Sequence, residues 1–251
     1  MKQFLTIILI FCFLISACGS LAYEMGSDSY RIQESSINVG GHSQTSTSYR
    51  MRDTIGEFVV GTATSTSYKL KMGYQPMLET YIAISVLPEQ VAMSPSIGGI
   101  TGGQSNGSTT VTVTTDSPAG YTLSVKANVS PALATSSYNF ADYTSTVSGT
   151  PDFAWSVPAT TSEFGFTPEG SHIVQKFLDN GSNACNTGSA TTANACWYNF
   201  STSTETIALS YFSNHPSGTE TTVKFRAESG NQNLQAPGEY QATIVNTAIA
   251  N

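Results

Sequence analysis

The chain has 251 residues, of which only 11% are charged, and it carries 17 acidic against 10 basic side chains. A formal charge of −7 argues against nucleic acid or an anionic membrane face as a partner, because both require cationic surface. The length suffices for one large β domain or two smaller ones, and the abundance of Ser and Thr over good helix formers makes all-β the expected class.

Residues 1–22, MKQFLTIILIFCFLISACGSLA, place a lone Lys2 before an apolar run from Phe4 to Ile15. That run falls short of the ~20 residues of a membrane span and reads as a secretory signal peptide. Ser20 and Ala22 satisfy the small-residue rule for cleavage before Tyr23. Ile15-Ser16-Ala17-Cys18-Gly19 also resembles a bacterial lipobox, with Ile where Leu is preferred, which makes Cys18 the candidate lipidation site. The two cleavages lead to different fates, since two acyl chains hold a protein on a membrane stably and none leaves it free.

Residues 23–80 form a β-repeat segment. Ser29-Tyr30-Arg31-Ile32, Ser48-Tyr49-Arg50-Met51 and Ser67-Tyr68-Lys69-Leu70 recur at a step of 19 residues. A two-residue period puts Tyr30 with Ile32, Tyr49 with Met51 and Tyr68 with Leu70 on one face, and the basic side chains on the other. Gly40-Gly41, Gly56 and Gly61 mark turns, so each copy predicts a strand and a return strand in an antiparallel meander. The interspersed Glu34, Asp53 and Glu57 favour a solvated basic face over a polymer-binding one.

Ile55-Gly56-Glu57, Val60-Gly61 and Tyr68-Lys69-Leu70-Lys71-Met72-Gly73-Tyr74 resemble a β module of bacterial secreted and envelope proteins in which "S-x-x-Y-x-L" and "G-F/Y" recur. The likeness covers residues 29–77 and implies a bacterial surface setting without an activity.

Residues 81–251 predict a β-sandwich domain. Tyr81–Val86 opens it, and Thr109–Thr115 and Tyr121–Ala127 flank Asp116-Ser117-Pro118-Ala119-Gly120 as a predicted hairpin. Thr221–Ala227 and Tyr240–Thr247 are further strands. TVTVTTDSPAGYTLSVKA and PGEYQATIVNTA resemble the first hairpin and last strand of bacterial surface β-sandwiches, which implies an antiparallel β-sandwich, Ig-like or jelly-roll in the broad sense, with function in its loops.

The intervening residues 128–220 are less regular and rich in aromatics. Cys185 and Cys196 are the cysteines of the exported body, and the apolar-poor NTGSATTANA between them suits a disulfide-closed loop. No histidine or third cysteine lies beside them, so no metal is assigned. Asp179, Asn180, Asn183 and Asn186 depart from the EF-hand spacing and fit an ordinary polar turn better than calcium. Trp155 and Trp197, with Tyr198, are the candidate ligand-binding residues, as a flat platform for a sugar ring, although aromatics of this size are more often buried core. His42, His172 and His215 stand isolated, and no nucleophile or phosphate-binding motif occurs. Asp142, Asp152, Glu163 and Glu169 are acids from which a glycosidase pair would have to come. No catalytic residue or cofactor is assigned.

The sequence thus predicts a noncatalytic exported cell-envelope or surface protein with an adhesive, binding or structural role. Two alternatives are a carbohydrate-binding module and a fibre or pilus-like subunit that assembles by strand pairing. The expected partners are surface glycans or other envelope proteins, with membrane contact only through a lipid anchor.

Overall fold

The computed structural model describes residues 80–251 continuously and, before them, residues 25–26, 31–32, 43–45, 50–52, 55–56, 61–64 and 69–73. The chain divides into two units, Met1–Glu79 and Thr80–Asn251. Residues 1–22, with the expected signal and Cys18, and Tyr30, Tyr49 and Tyr68 lie outside the described residues.

Among the described residues of the first unit are three two-stranded antiparallel pairs: β1 (Met25–Gly26) with β2 (Arg31–Ile32), β3 (Ser43–Thr45) with β4 (Arg50–Arg52), and β5 (Gly61–Thr64) with β6 (Lys69–Met72). The second strands open at Arg31, Arg50 and Lys69, in the register of the sequence repeat. The joining of these pairs into a meander falls outside the described residues.

Residues 80–251 are all-β apart from a 3₁₀ turn at Gln175–Phe177. The strands are β7 (Ile82–Leu87), β8 (Gly103–Thr115), β9 (Tyr121–Ala127), β10 (Ala141–Asp142), β11 (Ser162–Gly170), β12 (Tyr198–Asn199), β13 (Glu205–Ser210), β14 (Thr219–Ser229) and β15 (Ile244–Ala250). One sheet runs β10-β11-β14-β8-β7, with β12 also on β11, and it is mixed because β10 lies parallel to β11. The second sheet is β13-β9-β15 and is antiparallel.

Period-two alternation turns Val111, Val113 and Thr115 of β8 inward, together with Val223, Phe225 and Ala227 of β14. Leu123 and Val125 of β9 and Ile207 of β13 bury their side chains in the same hydrophobic cluster. The inner faces of both sheets therefore feed one core, where each fully buried large side chain contributes roughly 1.5–3 kcal/mol by leaving water.

β8 and β9 both form, yet they are not the expected hairpin. Their apolar faces look toward the same core from different sheets, and residues 116–120 carry the chain across instead of folding it back. Gly120, at φ +81°, makes that crossing possible, since a Cβ there would meet the Ser210 backbone at 2.1 Å. β8 also begins six residues before the predicted Thr109, inside the Gly-rich stretch. Gly107 allows this extension because Val91 and Met93 cover it at distances a side chain would block.

Phe166 is fully buried and stacks on Phe200 with ring centroids 4.4 Å apart. Phe166→Ala is expected to lower unfolding stability by about 3–5 kcal/mol in urea melts. Leu234→Ala, at a side chain 81% exposed, should change stability by less than about 0.5 kcal/mol.

Candidate functional site

β11 is buried on both faces, which separates it from every other strand of the sheet. Phe164 and Phe166 face the core, while Glu163, Gly165 and Thr167 face outward beneath a second layer of side chains. Gly165 permits that layer to form: a Cβ there would meet the Tyr198 carbonyl at 2.7 Å, Tyr143 at 2.8 Å and Trp155 at 3.0 Å. Tyr143 stacks on Trp155 at 4.4 Å, and Trp155 meets Trp197 edge-on at 5.1 Å and 76°. The Arg226 guanidinium of β14 lies 4.3 Å from the Trp197 ring centroid. Indole N–H groups donate from Trp155 to Glu228 and from Trp197 to the Asn194 carbonyl, each at 2.8 Å.

The flat platform expected of Trp155, Trp197 and Tyr198 is not formed. Trp197 is 1% exposed and perpendicular to Trp155. Trp197 and Tyr198 are consecutive in an extended segment, so their side chains take opposite faces. Tyr198 turns toward Phe177, and the Lys176 ammonium covers its ring at 3.7 Å.

Cys185 and Cys196 form the expected disulfide, with Cα atoms 5.6 Å apart. Asp179 organises the loop they close. It is 1% exposed, and its carboxylate accepts hydrogen bonds from Gly181 N–H (2.6 Å), Thr192 N–H (2.7 Å) and the Thr192 hydroxyl (2.8 Å). Its backbone pairs with Ala190 in both directions. The Asn180 side-chain oxygen accepts from Ser182, Asn183 and Ala184 N–H. These donors make residues 179–184 a hydrogen-bonded polar turn.

The four acids considered for a glycosidase pair also accept protein donors. Asp142 takes Ala132 N–H and the Ser130 hydroxyl, and Asp152 takes the Tyr143 hydroxyl and Thr146 N–H. Glu163 takes Thr144 N–H, and Glu169 takes Asn194 N–H and pairs with Lys224 at 2.8 Å. Asp152 and Glu163 are brought close enough to repel. Burial pushes the Tyr143 phenol well above its usual range, and the adjacent Asp152 adds to that rise.

An open cleft of about 540 Å³ lies elsewhere, between residues 134–138 and 237–241. Ala134 and Gln241 bridge its base through paired backbone hydrogen bonds. Tyr138, 56% exposed, lines it together with Thr135, Ser136, Ser137, Glu239 and Gln241. In the sequence Tyr138 is only one of the many aromatic residues of 128–220. Its polar partners come from about a hundred residues away and carry no local signal.

No family model, curated protein or solved structure matches this chain.

Two buried carboxylates predict opposite pH behaviour. Burial raises the Glu163 carboxyl above its usual range, against the opposing hydrogen bonds of Thr144 and Thr161. Protonation therefore favours the folded state: the penalty is present above the raised value and disappears below the ordinary one. Glu163→Gln, which keeps an acceptor for Thr144, should raise the neutral-pH Tm, and the gain should vanish in mild acid. Burial also pushes Asp179 upward, but the Thr192 and Gly181 donors outweigh it and hold the carboxyl below its usual range. Asp179 thus stabilises the fold above the ordinary carboxylate value and loses this effect as pH falls through its depressed one. Asp179→Asn should cost about 2 kcal/mol at neutral pH, by turning an amide N–H₂ toward existing donors, and less in acid. Thermal melts across pH check both signs.

Proposed function

We propose that the protein is a noncatalytic exported component of a bacterial cell envelope, with an adhesive, binding or structural role. In this reading residues 81–251 are a β-sandwich whose loops carry the role, and residues 23–80 are a β-meander repeat segment. The observation that carries it is the use of polar chemistry in the long loops. Asp142, Asp152, Glu163, Glu169 and Asp179 each hold a loop backbone N–H, and the disulfide closes the loop most lacking in apolar side chains. Such fastening suits a module that must keep a fixed shape outside the cell, where no reducing pool opens its disulfide. The apolar leader and the resemblance of residues 29–77 to an envelope module support the same setting.

Fractionation of the native host, followed by intact-mass measurement, tests this reading. Recovery from the envelope or medium, starting at lipidated Cys18 or at Tyr23, is expected. Recovery from the cytoplasm with the leader intact would overturn it.

A second reading, a carbohydrate-binding module, is supported by the cleft beside Tyr138. Sugars are held by an apolar ring face together with hydroxyl, amide and carboxylate groups, and Tyr138, Ser136, Gln241 and Glu239 supply these chemistries in its lining. On a glycan array the protein should bind a defined set of sugars, and Tyr138→Ala should weaken that binding by about tenfold, the ~1.4 kcal/mol expected of one aromatic contact. An array without signal removes this reading while leaving the envelope role standing.

A further inference from the structure

We propose that the cleft beside Tyr138 takes a sugar bearing a free, protonated amine, whose ammonium group is held by Glu239. The proposal rests on the carbohydrate-binding reading and narrows it to one ligand class. Glu239 is the charged residue in the lining, and Thr135, Ser136, Tyr138 and Gln241 beside it are neutral. Gln241 Nε2 donates to Glu239 Oε1 at 3.3 Å, and among the described residues no donor reaches Oε2. One carboxylate oxygen is therefore oriented by the protein while the other is open to a ligand. The exposed Tyr138 ring adds a second attraction, since an aromatic face favours a cation as well as the apolar face of a sugar.

Both arms of the cleft are fixed before a ligand arrives. In the first, Thr135 N–H donates to the Tyr138 carbonyl at 2.7 Å, and Tyr138 N–H donates to the Thr135 hydroxyl oxygen at 2.9 Å. In the second, the Tyr240 hydroxyl donates to the Ala236 carbonyl at 2.8 Å and accepts from Gln235 Nε2 at 2.7 Å. The Tyr240 ring packs edge-on against buried Phe140, with centroids 5.0 Å apart, so this arm is anchored in the core. Gly238 lets the arms approach, because a Cβ there would stand 3.2 Å from the Thr135 methyl group. Arms ordered in advance spare a ligand the entropy of ordering them. The volume of about 540 Å³ lies within the roughly 300–1,000 Å³ of small-ligand sites.

Charge selects among sugars. Residues 81–251 hold eleven Asp and Glu against four Lys and Arg, and none of Lys126, Lys176, Lys224 and Arg226 lines the cleft. Lys176 and Lys224 are already paired with Glu205 and Glu169, and Arg226 lies over Trp197. A sulfated or uronic-acid sugar therefore meets no counter-charge and is repelled by Glu239. A neutral sugar offers Glu239 hydroxyl groups alone, whereas an ammonium gives a bond in which both partners are charged, the stronger kind.

Titration calorimetry of the full-length protein with tetramers of glucosamine, N-acetylglucosamine and glucose tests the proposal. The glucosamine tetramer is expected to bind about tenfold more tightly than the other two, as one charge-assisted hydrogen bond implies, and added salt should erode that preference. Glu239→Gln should abolish the preference and leave the affinity for the neutral tetramers within about twofold. Glu89→Gln, at an exposed acid outside the cleft, should leave the preference unchanged, which separates a site from general attraction of a polycation to an acidic protein. Equal binding of all three tetramers would overturn the proposal and leave the carbohydrate reading standing. A preference that survives Glu239→Gln, or that Glu89→Gln removes as well, would also overturn it. Absence of glucosamine binding overturns it whatever the neutral sugars do, and their signal on the glycan array then decides the broader reading.

Discussion

The organisation of the second unit depends on a missing side chain at Gly165. A strand in a two-sheet protein ordinarily buries one face and leaves the other to water, but the bare backbone at Gly165 lets Tyr143 and Trp155 descend onto the outside of β11. Once those rings are seated, Trp197 packs edge-on against Trp155, and Arg226 from the neighbouring strand stacks over it. The loop containing both cysteines is then drawn across the outer face. Any Cβ at residue 165 would sit within 3.0 Å of three separate groups, two of them backbone or the root of a side chain, so the layer could not simply shift aside. Packing in the interior transmits such a clash because it leaves few voids to absorb it.

Burial on both faces also determines the electrostatics. Glu163 and Asp179 are both nearly inaccessible to water, yet their carboxyls move in opposite directions. The difference lies in the number and quality of donors. Asp179 receives two backbone N–H groups and a hydroxyl in a tight turn, enough to replace its lost hydration. Glu163 has fewer donors and a neighbouring carboxylate, so desolvation prevails. Glu163 fastens a loop to β11 at an electrostatic cost, whereas Asp179 fastens the two arms of one loop to each other without it.

Strand existence was legible where only one face is buried. The alternation in Thr109–Thr115 and Thr221–Ala227 follows directly from inward Val and Phe against outward Thr and Lys, and β8 and β14 contain those spans. β11 was missed although Glu163, Thr167 and Glu169 alternate with Phe164 and Phe166, because its Gly165, Pro168 and Gly170 read as breakers and only two apolar side chains mark its inner face. Turn chemistry misled in a different way. Asp116 to Gly120 has the residues of a hairpin, but local sequence does not say whether two apolar faces will lie side by side in one sheet or opposite each other in two. The disulfide was legible by elimination. The aromatic residues were legible as a group, although their arrangement was not, since it depends on contacts with residues 143, 165 and 226 that no spacing rule connects.

The loop between β11 and β12 shows why so many fasteners converge there. Residues 186–195, NTGSATTANA, offer no large apolar side chain, so burial contributes little to ordering them, while each fixed residue costs roughly 1–2 kcal/mol of backbone entropy. A single disulfide across eleven residues removes part of that cost by restricting the unfolded chain, by on the order of 3 kcal/mol in the entropic model. The remainder must come from polar contacts: Ala190 and Thr192 with Asp179, and Asn194 with Glu169, Lys224 and Trp197. Glu169 and Lys224 belong to β11 and β14, so Asn194 ties the loop to the mixed sheet, while the buried Asp179 ties its two arms to each other.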